Sequence, residues 1–415
     1  MKIGVLSPTI NKRHGTERCI AEQIERLAWD YGYEVHVYSQ MVDDIELDNL
    51  WKTQEKDALT KGCIVWHRIP KLFGPHLFNY SWWFVANHLW RWWHRRVRGL
   101  QHNLVYSPGI NCLDADVVSV HIVFARFYQR VKKELRLMRR PIKSWPRIIH
   151  RWLYYRLIML LERLIYTRND LSLFAISSKV AHDLTRFYDR RERVPVIYHG
   201  IDHARFNPTV RRQLRPHARQ SLGFTERDFV LLLIGNDWYN KGLPCLIQAV
   251  QQLMSTVVDL EERPIHVLVV GHDDPAPFRC LLQNCNLQPY IHFCPPRPDV
   301  EFYYAAADAY VGPSLEDAFA LPPAEAMACG LPVIVSRQAG VSEIISDHVD
   351  GLILDDPHDA SRLAALIQQL YSDADLCRRL STRAVQTAQQ YTWERSAAQV
   401  HELFQQVVRQ KRRGR

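Results

Sequence analysis

Short apolar runs alternate with longer stretches whose apolar positions recur every three or four residues, and this alternation continues along most of the chain. KIGVLSP opens as a strand, and Thr16 to Trp29 follows at helical spacing. Further strands are predicted at Glu34 to Tyr38, Cys63 to His67, Leu104 to Tyr106, Ala115 to His121 and Leu173 to Ser177, with a helix over Ser178 to Tyr188. Strands that alternate with helical patterns imply parallel pairing through crossover helices.

The pattern restarts at FVLLLIG, a buried strand ending at Gly235, and Lys241-Gly242 precedes a helix over Leu246 to Met254. Strands follow at HVLVVG, ending at Gly271, at Tyr290 to Cys294, at Ala309 onward, at Leu331 to Val335 and at Gly351 to Leu354. Gly340-Val341-Ser342-Glu343 opens a further helix, and Tyr391-Thr392-Trp393 begins a terminal one. At 415 residues the chain suits two domains, each able to bury a core.

Two segments depart from this rhythm. Phe73 to Arg98 carries five tryptophans on a helix that ends in a basic cluster, too aromatic on too many faces to be a solvated helix. It either packs inside the first domain or lies partly in a membrane interface. Phe124 to Arg168 places apolar residues, among them Leu135, Met138, Ile142, Ile148, Ile149, Trp152, Leu153, Leu160, Leu161 and Leu164, near helical spacing with arginines between them. That basic amphipathic pattern suits a membrane surface or a partner.

Charge sharpens the picture. The net charge is +9, yet Arg91 to Arg168 alone holds 17 Lys and Arg against 4 Asp and Glu, so the remainder is slightly acidic. The longest apolar stretch, Trp152 to Tyr166, is interrupted by Arg156, Glu162 and Arg163, which predicts no membrane-spanning helix. Nine scattered cysteines without a C-x-x-C pair predict reduced thiols, hence a cytoplasmic protein. The opening residues read as a strand and lack the pattern of a signal peptide.

The stretch with most chemistry is Ala309 to Ser336, AYVGPSLEDAFALPPAEAMACGLPVIVS. A strand breaks at Gly312-Pro313-Ser314, a loop carries Asp317, and a helix enters through Pro322-Pro323 with Glu325 on its first turn and ends at Gly330. Free N–H groups and the helix dipole favour an anion at such a mouth. The two prolines have no N–H, so anion contacts must come from the amides of Ala318, Phe319, Ala320 and Leu321. Two carboxylates flanking an anion hole suit a ligand with hydroxyls at two places and phosphate between them, as in a nucleotide-sugar.

PSLEDAFALPPAEAMACGLPV resembles the E-x7-E signature of the retaining glycosyltransferases of family 4. Aligned on Pro313, Phe319 and Pro322, the family's first glutamate falls on Asp317 and its second on Glu325, while its two glycines fall on Ala318 and Ala320. The segment VPVIYHGIDHARFNP, Val194 to Pro208, resembles the family's inter-domain segment, with His199 in place of an asparagine.

The resemblance implies the α/β GT-B fold, two facing Rossmann-like domains with parallel sheets and a cleft. Residues 1–208 would form the acceptor side, with helical insertions at about 73–98 and 124–168, and 209–392 the nucleotide-sugar domain. Residues 393–415 would cross back to the first domain as a helix with a basic tail. It also implies that Gly15 lies in the glycine loop near the donor and that His121 reaches the sugar near the reacting carbon. Lys241 would meet the diphosphate, with Asn236 standing where an arginine is usual, and Pro296 and Arg297 would neighbour the base. Asp317 would hold sugar hydroxyls and Glu325 the ribose.

The expected reaction is retaining, metal-independent transfer of a hexosyl group, with UDP-sugar ahead of GDP-sugar as donor. The acceptor would be a membrane-presented glycan or glycolipid, such as a lipopolysaccharide precursor, with the enzyme peripheral on the cytoplasmic face, an anionic membrane surface as partner and no nucleic acid. A soluble acceptor, or a sugar-nucleotide binder or epimerase on the same fold, remains the alternative.

Overall fold

The computed structural model describes residues 1–13, 15–47, 62–72, 74, 76–129, 145–190, 194–256 and 262–413. The expected helical spacing through Leu135, Met138 and Ile142 lies outside the described residues, as does Phe73. The chain divides into two compact units, Met1–Tyr198 together with Trp393–Arg415, and His199–Thr392.

In the first unit the strands β1 (Lys2–Leu6), β3 (Glu34–Ser39), β5 (Cys63–Arg68), β6 (Leu104–Pro108), β7 (Val117–Val120) and β8 (Ser172–Ala175) form one parallel sheet in the order β5-β3-β1-β6-β7-β8. β2 (Thr9–Ile10) and β4 (Met41–Val42) make a separate small pair. The helix Gly15–Trp29 buries Ile20, Ile24 and Leu27 against this sheet, and the terminal helix Trp393–Arg413 adds Val400, Phe404 and Val407 to the same cluster. The i, i+4, i+7 spacing of both sets is what places them on one helical face. β7 begins later than the sequence suggests because Asp116 stays outside the strand, its carboxylate accepting the Val105 N–H at 2.8 Å.

The tryptophan-rich segment forms the helix His76–Val97, which packs one face inside the first unit and leaves another uncovered. Trp83 is fully buried, whereas Phe78, Val85, Leu89, Trp92 and Val97 are exposed. The helix Trp145–Tyr166 behaves likewise, with Ile158, Glu162, Ile165 and Tyr166 inside and Trp152, Leu153, Leu160 and Leu164 outside. Among the described residues no helix is long and apolar enough to cross a membrane.

The second unit is also a parallel sheet, ordered β11-β10-β9-β12-β13-β14, with β9 (Phe229–Ile234), β10 (Ile265–Val270), β11 (Ile291–Cys294), β12 (Ala309–Gly312), β13 (Val333–Ser336) and β14 (Leu352–Leu354). FVLLLI is almost wholly buried, as expected for a central strand covered on both faces. The chain leaves β9 in one direction to β10 and β11, then returns to β12 on the other side. The crevice beyond the carboxyl ends of β9 and β12 is therefore a topological switch point, where open α/β sheets take their ligands.

The second unit begins at His199, ahead of the boundary expected at residue 208, and its arginine-rich opening run forms the helix Pro208–Leu222. Asn207 caps it by accepting from the Thr209 and Val210 amides, Pro208 stands at its first position and Gly223 ends it in a left-handed conformation. Arg211, Arg215 and Arg219, spaced by four, donate to the carbonyls of Ala305, Ala306 and Ala307 and to Asp308. These are the carbonyls at the end of the helix Glu301–Ala306, which would otherwise lack partners. The segment Gly340–Ile344 is a 3-10 turn, shorter than the helix expected there.

Candidate active site

Lys241 and Asp317 meet across the switch point. Lys241 follows β9 and Asp317 follows β12, and the Lys241 Nζ donates to Asp317 Oδ2 in a mostly buried ion pair. Two further bonds tie the same loops: the Leu315 N–H donates to the Asn240 carbonyl at 2.7 Å, and the Asn240 side-chain amide donates to the Glu316 carbonyl at 2.9 Å. Gly242 lets them approach, because a Cβ there would lie 2.0 Å from the Pro313 carbonyl oxygen.

The loop bearing Asp317 is fixed from its other side. Gly340 N–H donates to the Asp317 carbonyl at 3.1 Å and Val341 N–H to the Phe319 carbonyl at 2.6 Å. Phe319 is buried edge-on to His199, 5.2 Å between ring centroids. Ala320 has a φ of 69°, a backbone region costly for a residue with a Cβ. Among the described residues the amides of Ala318, Ala320 and Leu321 donate to no protein acceptor, and they precede the prolines of the helix Leu321–Ala328. The donors expected at this helix mouth are thus present, except that Phe319 N–H makes a long contact of 3.3 Å with Asp317 Oδ1.

Glu325 is buried and accepts the Tyr304 hydroxyl at 2.7 Å. Tyr310 registers both carboxylates. Burial pushes its hydroxyl pKa far up, and the negative charges of Asp317 and then Glu325 add to the shift. Asn236 carries no charge to a phosphate; its Oδ1 accepts the His272 N–H at 3.0 Å and so joins the loops after β9 and β10. Pro296 and Arg297 follow β11, and Arg297 pairs with Asp299 at 2.8 Å while its guanidinium lies 4.2 Å from the centroid of Phe302. No direct contact joins Arg297 to Lys241 or Asp317.

Tyr304, Asn240 and Gly242 were not singled out from the sequence as parts of the site. Tyr304 carries no motif, and its role shows only once the helix Glu301–Ala306 is packed against Glu325.

Gly15 and His121 belong to the first unit. Gly15 is the exposed first residue of its helix, and His121 lies just beyond β7, buried, with its Nε2 at 3.1 Å from the Ser119 hydroxyl. Burial lowers the His121 pKa to about 4, so the ring is neutral near pH 7. Glu162, which the sequence offers only as an interruption of an apolar stretch, holds the backbone that follows. Its carboxylate accepts the Phe124 and Ala125 amides at 2.7 and 3.0 Å and the Tyr188 hydroxyl at 2.5 Å. Burial raises its pKa to about 7 against the pull of those three bonds.

Residues 13–205 match the family described as Glycosyltransferase Family 4, and residues 215–387 match Glycosyl transferases group 1. The chain belongs to glycosyltransferase family 4. The family-4 chain is 30% identical over 255 residues to a protein of Corynebacterium urealyticum named D-inositol 3-phosphate glycosyltransferase, covering 59% of each chain. A protein of the same name from Corynebacterium kroppenstedtii is 29% identical over 226 residues, 52% of this chain and 49% of that protein. The match thus spans about half to three fifths of these relatives.

Among solved structures, WaaG, a glycosyltransferase involved in lipopolysaccharide biosynthesis, superposes with a TM-score of 0.75 at 19% identity, covering 97% of this chain and 99% of that one. Alr3699/HepE of Anabaena, in complex with UDP and glucose, superposes with a TM-score of 0.69 at 18% identity, covering 98% and 99%. These likenesses establish the GT-B fold for the family-4 chain, each unit carrying its own parallel sheet. Among the described residues no three His, Cys, Asp or Glu side chains gather as a metal site would require.

Proposed function

We propose that this protein is a retaining hexosyltransferase that needs no metal and takes its sugar from a nucleoside diphosphate, UDP before GDP. The observation that carries the reading is the pairing of Lys241 with Asp317 beside the free amides of Ala318, Ala320 and Leu321. A cation and preorganised N–H groups at one mouth stabilise a diphosphate as negative charge develops on it, the work a metal would otherwise do. Asp317 and Glu325 then hold sugar and ribose hydroxyls. The acceptor hydroxyl attacks the anomeric carbon from the leaving-group face, that carbon's bond to the phosphate oxygen breaks, and the departing diphosphate takes the hydroxyl proton.

We further propose a membrane-presented glycan or glycolipid acceptor, with the protein peripheral on an anionic leaflet. The outward rows Phe78, Val85, Leu89, Trp92 and Trp152, Leu160, Leu164, with exposed Arg96, Arg156 and Arg163 among them, have the composition of an interfacial face. A soluble acceptor is favoured instead by the name of the curated relatives, D-inositol 3-phosphate glycosyltransferase.

Slow hydrolysis of UDP- and GDP-sugars without acceptor, with and without EDTA, tests the reaction. Release of UDP from UDP-glucose, unchanged by EDTA, is expected, and a protein that binds these donors without ever cleaving them is a binder. Flotation on vesicles with and without anionic lipid tests the acceptor side; equal flotation of both ends the membrane reading.

A further inference from the structure

The two most basic helix ends of the first unit converge. The helix His76–Val97 and the following residues carry Arg91, Arg95, Arg96 and Arg98, and the terminal helix carries Arg409, Lys411, Arg412 and Arg413. Cations near a helix carboxyl end are favoured by its dipole, which explains their presence but not their meeting. They meet at a cavity of about 580 Å³, whose walls include Arg91, Arg95, Trp92, Lys411 and Arg412. It lies at the amino-terminal ends of the strands, bounded by Asn103 just before β6 and Asp116 just before β7. His121 follows the carboxyl end of β7, so this cavity and that residue occupy opposite ends of the sheet.

Charge in the cavity does not cancel. Arg91 is held by Asp114 through two bonds of 2.6 and 2.7 Å, and Lys411 pairs with Asp116 at 2.8 Å. Arg95 and Arg412 have no acidic partner among the described residues. Two unpaired guanidinium groups face one space, with the apolar surface of exposed Trp92 beside them. A phosphate monoester near pH 7 carries a charge of about −1.5 to −2 and oxygens that suit guanidinium forks. A volume of this size also admits an organic group beyond the phosphate.

We propose that this cavity binds a phosphate monoester through Arg95 and Arg412, at a site separate from the sugar-donor crevice of the second unit. The phosphate belongs either to a small soluble ester or to a lipid headgroup reached from the surface on which Trp92 is exposed. Binding rather than turnover is measured, so the outcome does not depend on the proposed transfer reaction.

Glycerol phosphate is titrated calorimetrically into the full chain, and flotation is measured on phosphatidylcholine vesicles with and without phosphatidate. The double variant Arg95→Gln/Arg412→Gln is compared with Arg98→Gln/Arg409→Gln, which removes the same charge from the same two helix ends outside the cavity. We expect the cavity variant to bind at least about tenfold more weakly while the control matches the parent, a loss the size of one charge-assisted pair. An effect on glycerol phosphate assigns the site to a soluble ester, and an effect on phosphatidate vesicles alone assigns it to a headgroup. The proposal is overturned if the parent binds neither probe, if the cavity variant binds as the parent does, or if Arg98→Gln/Arg409→Gln loses as much.

Discussion

Lys241 and Asp317, 76 positions apart, form an ion pair across the point where the second sheet reverses its winding. Each holds the other in place before any ligand arrives, and a diphosphate entering the crevice would exchange with Asp317 for the ammonium. Removing either leaves the partner's charge mostly buried and unpaired.

Lys241→Ala and Asp317→Ala should each lower donor turnover by about 100-fold or more, the scale of losing one preorganised group at a developing charge. Circular dichroism and the melting temperature report whether the fold is intact. Transfer or hydrolysis near the parental rate in Asp317→Ala would remove that residue from the site.

Ala320 occupies a backbone conformation with positive φ at the helix mouth, where the family pattern has glycine. Relief of that conformation is worth about 1–3 kcal/mol, and the added freedom of glycine in the unfolded chain costs about 0.4–1 kcal/mol. Ala320→Gly should therefore stabilise the protein, by about 1 kcal/mol in a denaturant titration. A lower midpoint in the variant would show that the strain is absent.

Gly242→Ala acts in the opposite direction. A Cβ 2.0 Å from the Pro313 carbonyl oxygen, at a φ of +82°, forces the loops after β9 and β12 apart. We expect a loss of more than about 2 kcal/mol of stability and a larger fractional loss of turnover, because Lys241 precedes the glycine directly.

Four histidines of the first unit set a pH window. His36 and His67 share a 2.8 Å contact, His94 lies 4.4 Å from His67 between ring centroids, and His102 lies 5.3 Å from His36. Burial, then the neighbouring rings and Arg98, lowers His67 to about 3; burial and Arg98 lower His94 to about 4, and burial and the neighbours lower His102 to about 3. His36 is lowered too, although Glu34 opposes the shift. These folded-state values lie below the ordinary 6.5, so the stabilisation is complete above that pH and is lost as pH falls toward about 3 to 4. Glu162 works the other way. Its raised pKa favours the fold at low pH, and that contribution is lost as pH rises from about 4.5 through about 7. Melting temperature against pH should fall below pH 6.5, more gently in His67→Asn and more steeply in Glu162→Gln; a flat profile in the parent would contradict the burial of the rings.

The candidate site could be proposed from the sequence where its residues are local. Asp317, the helix mouth and Glu325 sit in one continuous stretch, and Lys241 lies between a recognisable strand and the helix after it. What could not be read depends on packing between distant segments. Tyr304 reaches Glu325 from another helix, Glu162 reaches Phe124 and Ala125 across 38 and 37 positions, and the four histidines come from two strands, a helix and a loop. The two strand sheets followed from apolar runs, but the helix Pro208–Leu222 did not, because few apolar residues stand between its arginines. Spacing by four was its only mark, and the carbonyls that Arg211, Arg215 and Arg219 serve lie some 90 positions on.

That arginine row changes how the excess of positive charge is to be understood. Arg219 is buried and its neighbours on the row point their guanidinium groups at the end of a helix, so these cations act as internal mortar and contribute little to the field outside. The electropositive face that an approaching anion meets is therefore built by the first unit, from arginines that sit at the rim of its exposed aromatic rows.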